Sequence, residues 1–340
     1  MPKNQGTEIT DVSGTEIGYW AAQEEHGPSE LLANVVAAEK GGFESVFTSD
    51  HFMPWFDTRA HGGAAWTWLA ACAASTKKMK VGTGVTAPDR YHPALIAQAF
   101  ATLDDMFPGR VVLGLGAGEA MNSTPLGIDF PVPGQREQRL KETLEIITKL
   151  WQGGFQDYPG FFYRLVNARL YTPPKTKIPI FVAAGGKRSA ELAGTYGDGV
   201  IGFSGGKDAM NLAVEAAKKR GKSGESFGRL IEFKCSYDKD YQHALDSTRV
   251  WTSTMVKGIL GSDLADPRRL QERGDREVTD KDIESVWSVV TNVEDLIEPI
   301  EALIREGFNI VQVHSASPDE ASFIQDFAGK VLPHLRGEDQ

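Results

Sequence analysis

The feature that most constrains this chain is a repeated alternation of short apolar runs with segments of helical periodicity. The runs are rich in β-branched residues, and most are continuous rather than interrupted by polar residues. Continuous apolar runs are typical of parallel strands that are covered on both faces. The eight predicted strands are residues 17–20, 45–48, 81–85, 111–115, 178–183, 199–203, 231–236 and 309–313.

Helical periodicity fills the intervals between these runs. The predicted helices are residues 29–41, 93–107, 138–150, 188–196, 208–219, 293–306 and 318–335. Strands and helices that alternate in this way over this length predict an α/β fold, a (β/α)8 TIM barrel, which typically needs about 250 residues or more. An open doubly wound sheet shares the same alternation and stays an alternative.

The length of 340 residues exceeds that of a minimal barrel. We expect a single TIM-barrel domain over residues 1–340, with its core at about residues 15–335. The surplus is assigned to insertions near residues 129–137, 157–174 and 254–281. The last of these is polar, dense in charge and without a strand signal.

Charge and composition argue against several function classes. The chain has 36 Lys and Arg against 46 Asp and Glu, a net charge of −10 with no basic run, which disfavours nucleic acids and anionic membranes as partners. No apolar run approaches the ~20 residues of a membrane span, and the first residues lack the apolar core of a signal peptide. Cys72 and Cys235 lie in apolar surroundings and predict free buried thiols. We therefore expect a cytoplasmic protein that acts on a small molecule.

Polar residues gather where four predicted strands end, at residues 49–55, 82–88, 114–122 and 183–189. In a parallel barrel, functional residues lie at this carboxyl end of the strands. His51 beside Asp50 offers a group that exchanges a proton near neutral pH, and a histidine satisfied by backbone is the alternative. Glu119 is either catalytic or a charge at a helix N-terminus.

The glycines in these segments do not complete a known nucleotide motif. The third glycine of G-x-G-x-x-G would fall at Glu119, so the dinucleotide fingerprint fails. A P-loop fails as well, because Phe181 replaces its first glycine and Arg188 its Ser/Thr. Free N–H groups beside Lys187 and Arg188 would still suit a phosphate, and a plain turn is the alternative. The seven histidines show no H-x-x-x-H pair, so no metal site is predicted.

Taken in this order, the strand ends resemble the luciferase-like superfamily of barrels, most closely the branch that uses the deazaflavin coenzyme F420. That branch includes F420-dependent glucose-6-phosphate dehydrogenases and secondary-alcohol dehydrogenases. The resemblance covers about residues 15–335 and implies a small-molecule substrate, coenzyme F420 and a homodimer. It is carried by Ser49-Asp-His-Phe-x-Pro-Trp55, Arg90-Tyr-His-Pro-Ala94, Pro108-Gly-Arg110, Gly114-x-Gly-x-Gly-Glu-Ala-x-Asn122, Pro179-Ile-Phe-Val-Ala-Ala-Gly-Gly186 and Ala193-Gly-x-x-Gly-Asp-Gly199.

The resemblance also implies a role for each matched residue. His51 would take the hydroxyl proton as the hydride leaves, Trp55 would pack near the reacting centre, and Glu119 would exchange a proton with the ring. The family's non-proline cis peptide would fall between residues 84 and 85. Ala87 departs from the cofactor-contacting threonine of the sugar-phosphate enzymes. The residues that would contact the cofactor are Asp50, Gly84, Val85, Ala87, Ala117, Gly118 and Asn122, with Gly185, Gly186, Arg188 and Ser189 at its phosphate.

The expected substrate follows from three missing charges. The glucose-6-phosphate enzymes hold the substrate phosphate with two lysines and an arginine, and the matched positions here are Gly206, Gly261 and Val286. Each charge-assisted contact contributes roughly 1.5–3 kcal/mol, so we expect a neutral alcohol or the corresponding ketone. The expected pocket residues are Phe203, Lys207 and Lys257, with Arg268 as a further cation that could replace the missing ligands.

Four other functions stay open at this point. They are an F420-dependent sugar-phosphate dehydrogenase, an FMN-dependent luciferase-like monooxygenase, a methylenetetrahydromethanopterin reductase and a non-enzymatic deazaflavin-binding protein. The Asp50-His51 and Glu119-Ala-x-Asn122 contexts weigh against the monooxygenase. The reductase removes no hydroxyl proton, so His51 and Trp55 would have no task in it.

Overall fold

Eight parallel strands form a closed barrel in this computed structural model, which describes residues 14–203, 206–222 and 226–338. Within those ranges the strands are β1 (Glu16–Ala21), β2 (Ser45–Thr48), β3 (Lys80–Thr83), β4 (Val111–Leu115), β5 (Gln156–Pro159), β6 (Arg164–Ala168), β7 (Ile180–Ala183), β8 (Gly199–Gly202), β9 (Gly228–Tyr237), β10 (Ser288–Val290) and β11 (Ile310–Ser315). The barrel contains all of them except β5, β6 and β10.

Parallel pairing runs around the whole barrel. β1 pairs with β2 on one side and with β11 on the other, where Tyr19 lies opposite Val313. β11 pairs with β9, and β9 pairs with β8. The predicted (β/α)8 barrel is therefore confirmed, and the open sheet is excluded because both of its edges would be unpaired.

Helices cover the outside of the barrel, where their apolar sides pack on the buried strands. In the described ranges they are α1 (Pro28–Gly41), α2 (Ala65–Ser75), α3 (Pro93–Met106), α4 (Ala120–Ser123), α5 (Pro133–Trp151), α6 (Lys187–Tyr196), α7 (Lys207–Lys218), α8 (Tyr241–Ser247), α9 (Thr252–Met255), α10 (Pro267–Glu277), α11 (Asp280–Glu284), α12 (Ile297–Arg305), α13 (Glu320–Asp326) and α14 (Leu332–Leu335).

Helix ends follow local chemistry. Proline stands in the first turn of α1, α3, α5 and α10, where its missing N–H has no helical partner to lose. α1 ends at Gly42 with φ +104°, a left-handed conformation that favours glycine. The sequence pattern missed α2, because its alanines and tryptophans are apolar on every side and leave no 3.6-residue period.

The three predicted insertions take different forms. α5 already begins at Pro133, inside the segment 129–137, so that segment is only partly loop. The segment 157–174 contains most of an antiparallel hairpin of β5 and β6, and the segment 254–281 contains α10. The carboxylate of Glu142 on α5 accepts hydrogen bonds from three successive backbone N–H groups of the hairpin, at residues 161–163, over 2.9–3.1 Å.

Two further expectations can be compared with the described residues. Cys72 and Cys235 are both buried and free, as predicted. None of the helices in the described ranges combines the length and hydrophobicity that a membrane span requires.

Candidate active site

A cavity of about 290 Å³ opens where the barrel strands end. The loops after β2, β3, β4 and β8 each contribute predicted site residues to its wall. These residues are His51, Trp55, Gly84, Val85, Glu119 and Phe203. The barrel topology therefore brings together side chains that lie up to 152 positions apart in the sequence, because the carboxyl ends of all eight parallel strands meet on one face.

His51, which is 14% exposed, pairs with the buried Glu24, which follows β1. The Nδ1 atom of His51 lies 2.5 Å from Oε1 of Glu24, and the Ser49 hydroxyl donates to both carboxylate oxygens over 2.8 and 2.9 Å. Burial alone would lower the pKa of His51, but the hydrogen bond and charge of Glu24, helped by Glu119 and Asp50, outweigh it and raise that pKa. Burial would raise the pKa of Glu24, and the bonds from His51 and Ser49 outweigh it and lower that pKa. The imidazole is thus oriented through Nδ1, which leaves Nε2 for proton exchange.

Asp50 does not present its side chain to the cavity. Its carboxylate is fully buried and accepts hydrogen bonds from Arg90 and, over 2.8 Å, from the Thr86 hydroxyl. Asp50 is not among the residues that line the cavity. Burial raises the pKa of Asp50, and the charge of Arg90 opposes that rise without cancelling it. The position of this side chain indicates that it holds Arg90 in place.

Arg90 links this carboxylate to Glu119 through Asn122. Arg90 donates to Oδ1 of Asn122 over 3.1 Å, and Nδ2 of Asn122 donates to Oε2 of Glu119 over 3.2 Å. The same Oδ1 atom also accepts the backbone N–H of Phe52 over 2.8 Å. The network joins the loops after β2, β3 and β4 and fixes the orientation of the Glu119 carboxyl group.

Gly84 lines the cavity, and with Gly116 and Gly118 it belongs to a closely packed stretch of backbone around Val85, here called the glycine wall. The peptide bond between Gly84 and Val85 is cis, as the resemblance implied. A Cβ on Gly84 would lie 2.4 Å from the Trp20 ring, and one on Gly116 would lie 2.4 Å from Val85. Gly118 has φ +91°, and a Cβ there would lie 2.8 Å from Asp89. Only glycine fits these three positions, because a Cβ there would collide with neighbouring protein atoms.

Asp89 is a buried carboxyl beside this wall that the sequence did not point to. It is 6% exposed, and its Oδ2 atom has no hydrogen-bond partner among the described residues. Burial raises the pKa of Asp89 to about 7, and the nearby charge of Glu119 adds to the rise. Ala87, by contrast, is a buried apolar residue of the same loop.

The predicted phosphate site lies at the start of α6. A Cβ on Gly185 or Gly186 would meet no atom within 4 Å, so this turn faces open space. The Ser189 hydroxyl donates to the carbonyl oxygen of Gly186 over 3.0 Å and braces the first helical turn. Arg188 is exposed, 3.6 Å from the carboxylate of Glu137. The Gly186 N–H donates to the Ser189 hydroxyl over 3.3 Å, so an anion here would meet the other backbone N–H groups of this first turn. This open turn, together with the backbone of Gly84 and Val85 in the cavity wall, fits a planar ring that carries an anionic tail.

The three cations expected near the substrate do not line the cavity. Lys207 lies 3.5 Å from Glu306 on the outside of the barrel, and Lys257 is exposed. Arg268 pairs with Asp266 over 2.7 Å at a separate surface groove. The lysine that does line the cavity is Lys234, in the middle of β9.

The sequence pattern does not single out Lys234 and Glu232, because residues 231–236 resemble the other apolar strands. The signal was their alternation with Ile231 and Phe233, which directs both charged residues to the same side of the strand. Among the described residues, no group of three or more His, Cys, Asp or Glu side chains is arranged to hold a metal ion.

Comparisons with known proteins agree with this geometry. The family model of luciferase-like monooxygenases matches residues 11–295. An F420-dependent glucose-6-phosphate dehydrogenase of Beutenbergia cavernae is 38% identical over 95% of this chain and 98% of its own, and that of Nakamurella multipartita is 37% identical over 94% and 96%. The solved F420-dependent secondary alcohol dehydrogenase in complex with an F420-acetone adduct is 32% identical, covers 95% of this chain and 99% of that chain, and has a TM-score of 0.91. The chain belongs to the luciferase-like monooxygenase family.

Proposed function

We propose that this chain is a coenzyme F420-dependent dehydrogenase that transfers a hydride between the hydroxyl-bearing carbon of a neutral alcohol, or its ketone, and the deazaflavin. The observation that carries the proposal is the partly buried pair of His51 and Glu24, which faces the same cavity as Glu119, Gly84 and Val85. Relatives over nearly the whole length are named as F420-dependent dehydrogenases, which supports the cofactor and the reaction type.

The side chains of the cavity suit proton removal from a carbinol. When bound, coenzyme F420 supplies the hydride acceptor. A hydride leaves a carbinol carbon only as the hydroxyl proton is removed, so a base must lie within hydrogen-bond reach of that oxygen. Nε2 of His51 is that base, because Glu24 holds Nδ1 and stabilises the imidazolium that forms. The Trp55 ring packs edge-on against His51, with centroids 5.9 Å apart, and keeps the imidazole in place.

Glu119, another residue of the cavity wall, handles the second proton. Glu119 is oriented by Asn122 and would exchange this proton with the ring. The glycine wall would hold the ring itself, through Gly84, Val85, Ala87, Ala117, Gly118 and Asn122. The open turn at the start of α6 would hold the phosphate, through Gly185, Gly186, Arg188 and Ser189.

A neutral substrate is favoured over glucose 6-phosphate. Gly206, Gly261 and Val286 stand at the positions of the phosphate ligands, and Val286 itself lines the cavity. Lys207 is engaged with Glu306, and Lys257 lies outside the cavity wall. The glucose-6-phosphate dehydrogenases among the relatives support the sugar-phosphate alternative, so the two substrates must be compared directly.

The test is a titration of purified protein with oxidised coenzyme F420 and, separately, with FMN. Loss of the deazaflavin's visible absorbance is then followed after 2-propanol or glucose 6-phosphate is added. We expect F420 binding, bleaching by the alcohol alone, and loss of bleaching in His51→Gln. Bleaching by glucose 6-phosphate would refute the neutral-substrate assignment. Binding of FMN instead of F420 would return the chain to the monooxygenases, and an active His51→Gln variant would remove the proposed base.

We further propose a homodimer that functions in the cytoplasm. Leu95 and Met106 on α3 are more than half exposed, which supports an apolar contact surface on an early helix. Light scattering would give twice the chain mass of 37.1 kDa for a dimer and the single value for a monomer.

A further inference from the structure

We propose that Glu232 and Lys234 form a second hydroxyl-binding subsite in the cavity, so that the substrate is a neutral polyol rather than a simple alcohol with one hydroxyl group. The proposal rests on the function proposed above and adds the substrate class. Both residues come from β9, and both line the cavity that contains His51. A polyol here means any uncharged compound with a second hydroxyl group near the reacting carbinol, including an unphosphorylated sugar.

Lys234 has hydrogen-bond donors to spare. Its side chain is 15% exposed, and its ammonium lies 3.9 Å from Oε1 of Glu232 and 5.6 Å from the centre of the Trp287 ring. Within the described ranges it donates no hydrogen bond shorter than 3.5 Å to a protein oxygen. An ammonium carries three donors, and a partly buried one gains from any acceptor that a ligand brings. The cavity therefore offers donors to an oxygen-rich substrate.

Glu232 is held rigidly from behind, and this makes it a defined acceptor. Its Oε1 atom lies 2.6 Å from Nδ1 of His314, which is fully buried. His314 is stacked on Trp20 and is met edge-on by Trp251, with centroids 6.3 and 4.8 Å apart. Burial would raise the pKa of Glu232, but the charge of Lys234 and the bond from His314 outweigh it and lower that pKa. The carboxylate is thus ionised at neutral pH and accepts O–H groups.

The pairing of these two charges selects for a hydroxyl group over an anion. A hydroxyl donates one hydrogen bond and accepts others, so it can donate to Glu232 and accept from Lys234 at the same time. A phosphate or carboxylate can only accept, and it would meet the carboxylates of Glu24, Glu119 and Glu232 in the same cavity. The negative charge of Glu232 also partly neutralises the positive charge of Lys234, which such an anion would need for binding.

The remaining cavity surface suits the carbon skeleton of such a compound. Trp20, Trp55 and Trp251 present aromatic rings to the cavity, and Leu260 and Met255 add apolar surface. Ligand sites commonly combine such walls with a few fixed polar groups that set orientation. Here the fixed polar groups are His51 for the reacting hydroxyl and the pair on β9 for the second one.

The experiment compares cyclohexanol, cis-1,2-cyclohexanediol, glucose and glucose 6-phosphate as substrates of the F420-loaded protein. For the wild type we expect kcat/KM to be at least about tenfold higher for the diol than for cyclohexanol, the effect of roughly 1.4 kcal/mol from the second hydroxyl. Glu232→Gln and Lys234→Met should lose this preference, mainly through a higher KM for the diol, when diol and cyclohexanol are compared in the same variant. Lys218→Met, an exposed lysine of α7, is the matched control and should behave as wild type.

A second measurement separates this proposal from the proposed function. Tryptophan fluorescence of the protein without cofactor is titrated with the diol and with cyclohexanol, because three tryptophans line the cavity. If no alcohol bleaches F420, the dehydrogenase proposal fails. The fluorescence titration still supports the subsite in that case if the diol binds more tightly than cyclohexanol and Lys234→Met loses this difference. Three outcomes would overturn the subsite proposal. They are equal kcat/KM for diol and cyclohexanol in the wild type, a diol preference that survives both substitutions, and a higher kcat/KM for glucose 6-phosphate than for glucose. If Glu232→Gln does not fold, Lys234→Met and Lys234→Gln decide alone.

Discussion

Replacing Glu24 with glutamine tests whether this buried carboxylate sets the proton affinity of His51. Glu24 is 2% exposed, and its Oε1 atom lies 2.5 Å from Nδ1 of His51. Glutamine keeps the size and can still accept a hydrogen bond, so the substitution removes mainly the negative charge. The Ser49 hydroxyl, which now donates to both oxygens, can keep one of its two bonds.

The size of the effect follows from the strength of a hydrogen bond to a charged group. Such a bond is worth about 1.5–3 kcal/mol, and one pKa unit corresponds to about 1.4 kcal/mol. The pKa of His51 should therefore fall by about one to two units in Glu24→Gln. Glu119 and Asp50, which also raise the pKa of His51, are unchanged, so part of the rise should remain in the variant.

The sign of the pH effect depends on the reaction direction. In alcohol oxidation the proposed base, His51, must be unprotonated to take the hydroxyl proton, so kcat/KM should rise as the pH passes the pKa of His51. In Glu24→Gln this rise should move to lower pH by about one to two units, and the plateau at high pH should drop because the imidazole is a weaker base. In ketone reduction the protonated form is needed, so the fall of activity with rising pH should also move to lower pH.

The assay is the initial rate of F420 bleaching between pH 5 and pH 9 at low alcohol concentration, with circular dichroism to verify folding. Glu215→Gln, an exposed glutamate of α7, serves as the control and should keep the wild-type midpoint. A folded Glu24→Gln protein with an unchanged midpoint, or with one displaced to higher pH, would refute the reasoning.

Three further predictions concern stability. Arg90→Ala leaves the carboxylate of Asp50 buried without its charge partner, and urea unfolding should show a loss of about 3–5 kcal/mol, which a neutral double variant with Asp50→Asn should largely restore. Asp89→Asn should be more stable than wild type at pH 8 by up to about 4 kcal/mol and close to it at pH 4. The reason is that the raised pKa of Asp89, about 7, makes the folded wild type lose stability as the pH rises from about 4 to 7. Thermal unfolding across pH measures this difference, and parallel curves of stability against pH for the two proteins would contradict it. Glu142→Ala removes the acceptor of three hairpin N–H groups, so amide exchange there should accelerate at least about tenfold while exchange in the barrel strands stays unchanged.

The barrel was predictable because its strands have a local signature. β2 and β4 have the bounds expected from their apolar runs, since strands covered on both faces require continuous apolar sequence. The short hairpin of β5 and β6 was not predicted, because its exposed strands carry no such run. α2 was missed for the opposite reason, since a helix that is apolar on all sides shows no period.

The candidate site was predictable only in part. The motifs around His51 and Glu119 identified the family, and the cis peptide at residue 84 fell where the resemblance implied. The partners of these residues have no local signal of their own. Glu24 lies in a polar stretch after β1 that shows no motif, and only the fold brings it to His51. The sequence suggests Lys207 as a substrate contact, but the fold places it beside Glu306.

The sequence by itself determined the barrel and the family, because strand periodicity, turn glycines and contiguous motifs are properties of neighbouring residues. Only the tertiary structure decided which charges face one another. Glu24 meets His51 across 27 positions, Arg90 meets Asp50 across 40, and Glu232 meets His314 across 82. The first two pairs exist because parallel strands bring their carboxyl ends to one face of the barrel, and the third exists because β9 and β11 are neighbouring strands. Low exposure strengthens each of these charge contacts. The proton affinity of His51 and the polarity of the cavity are therefore set by the closed barrel.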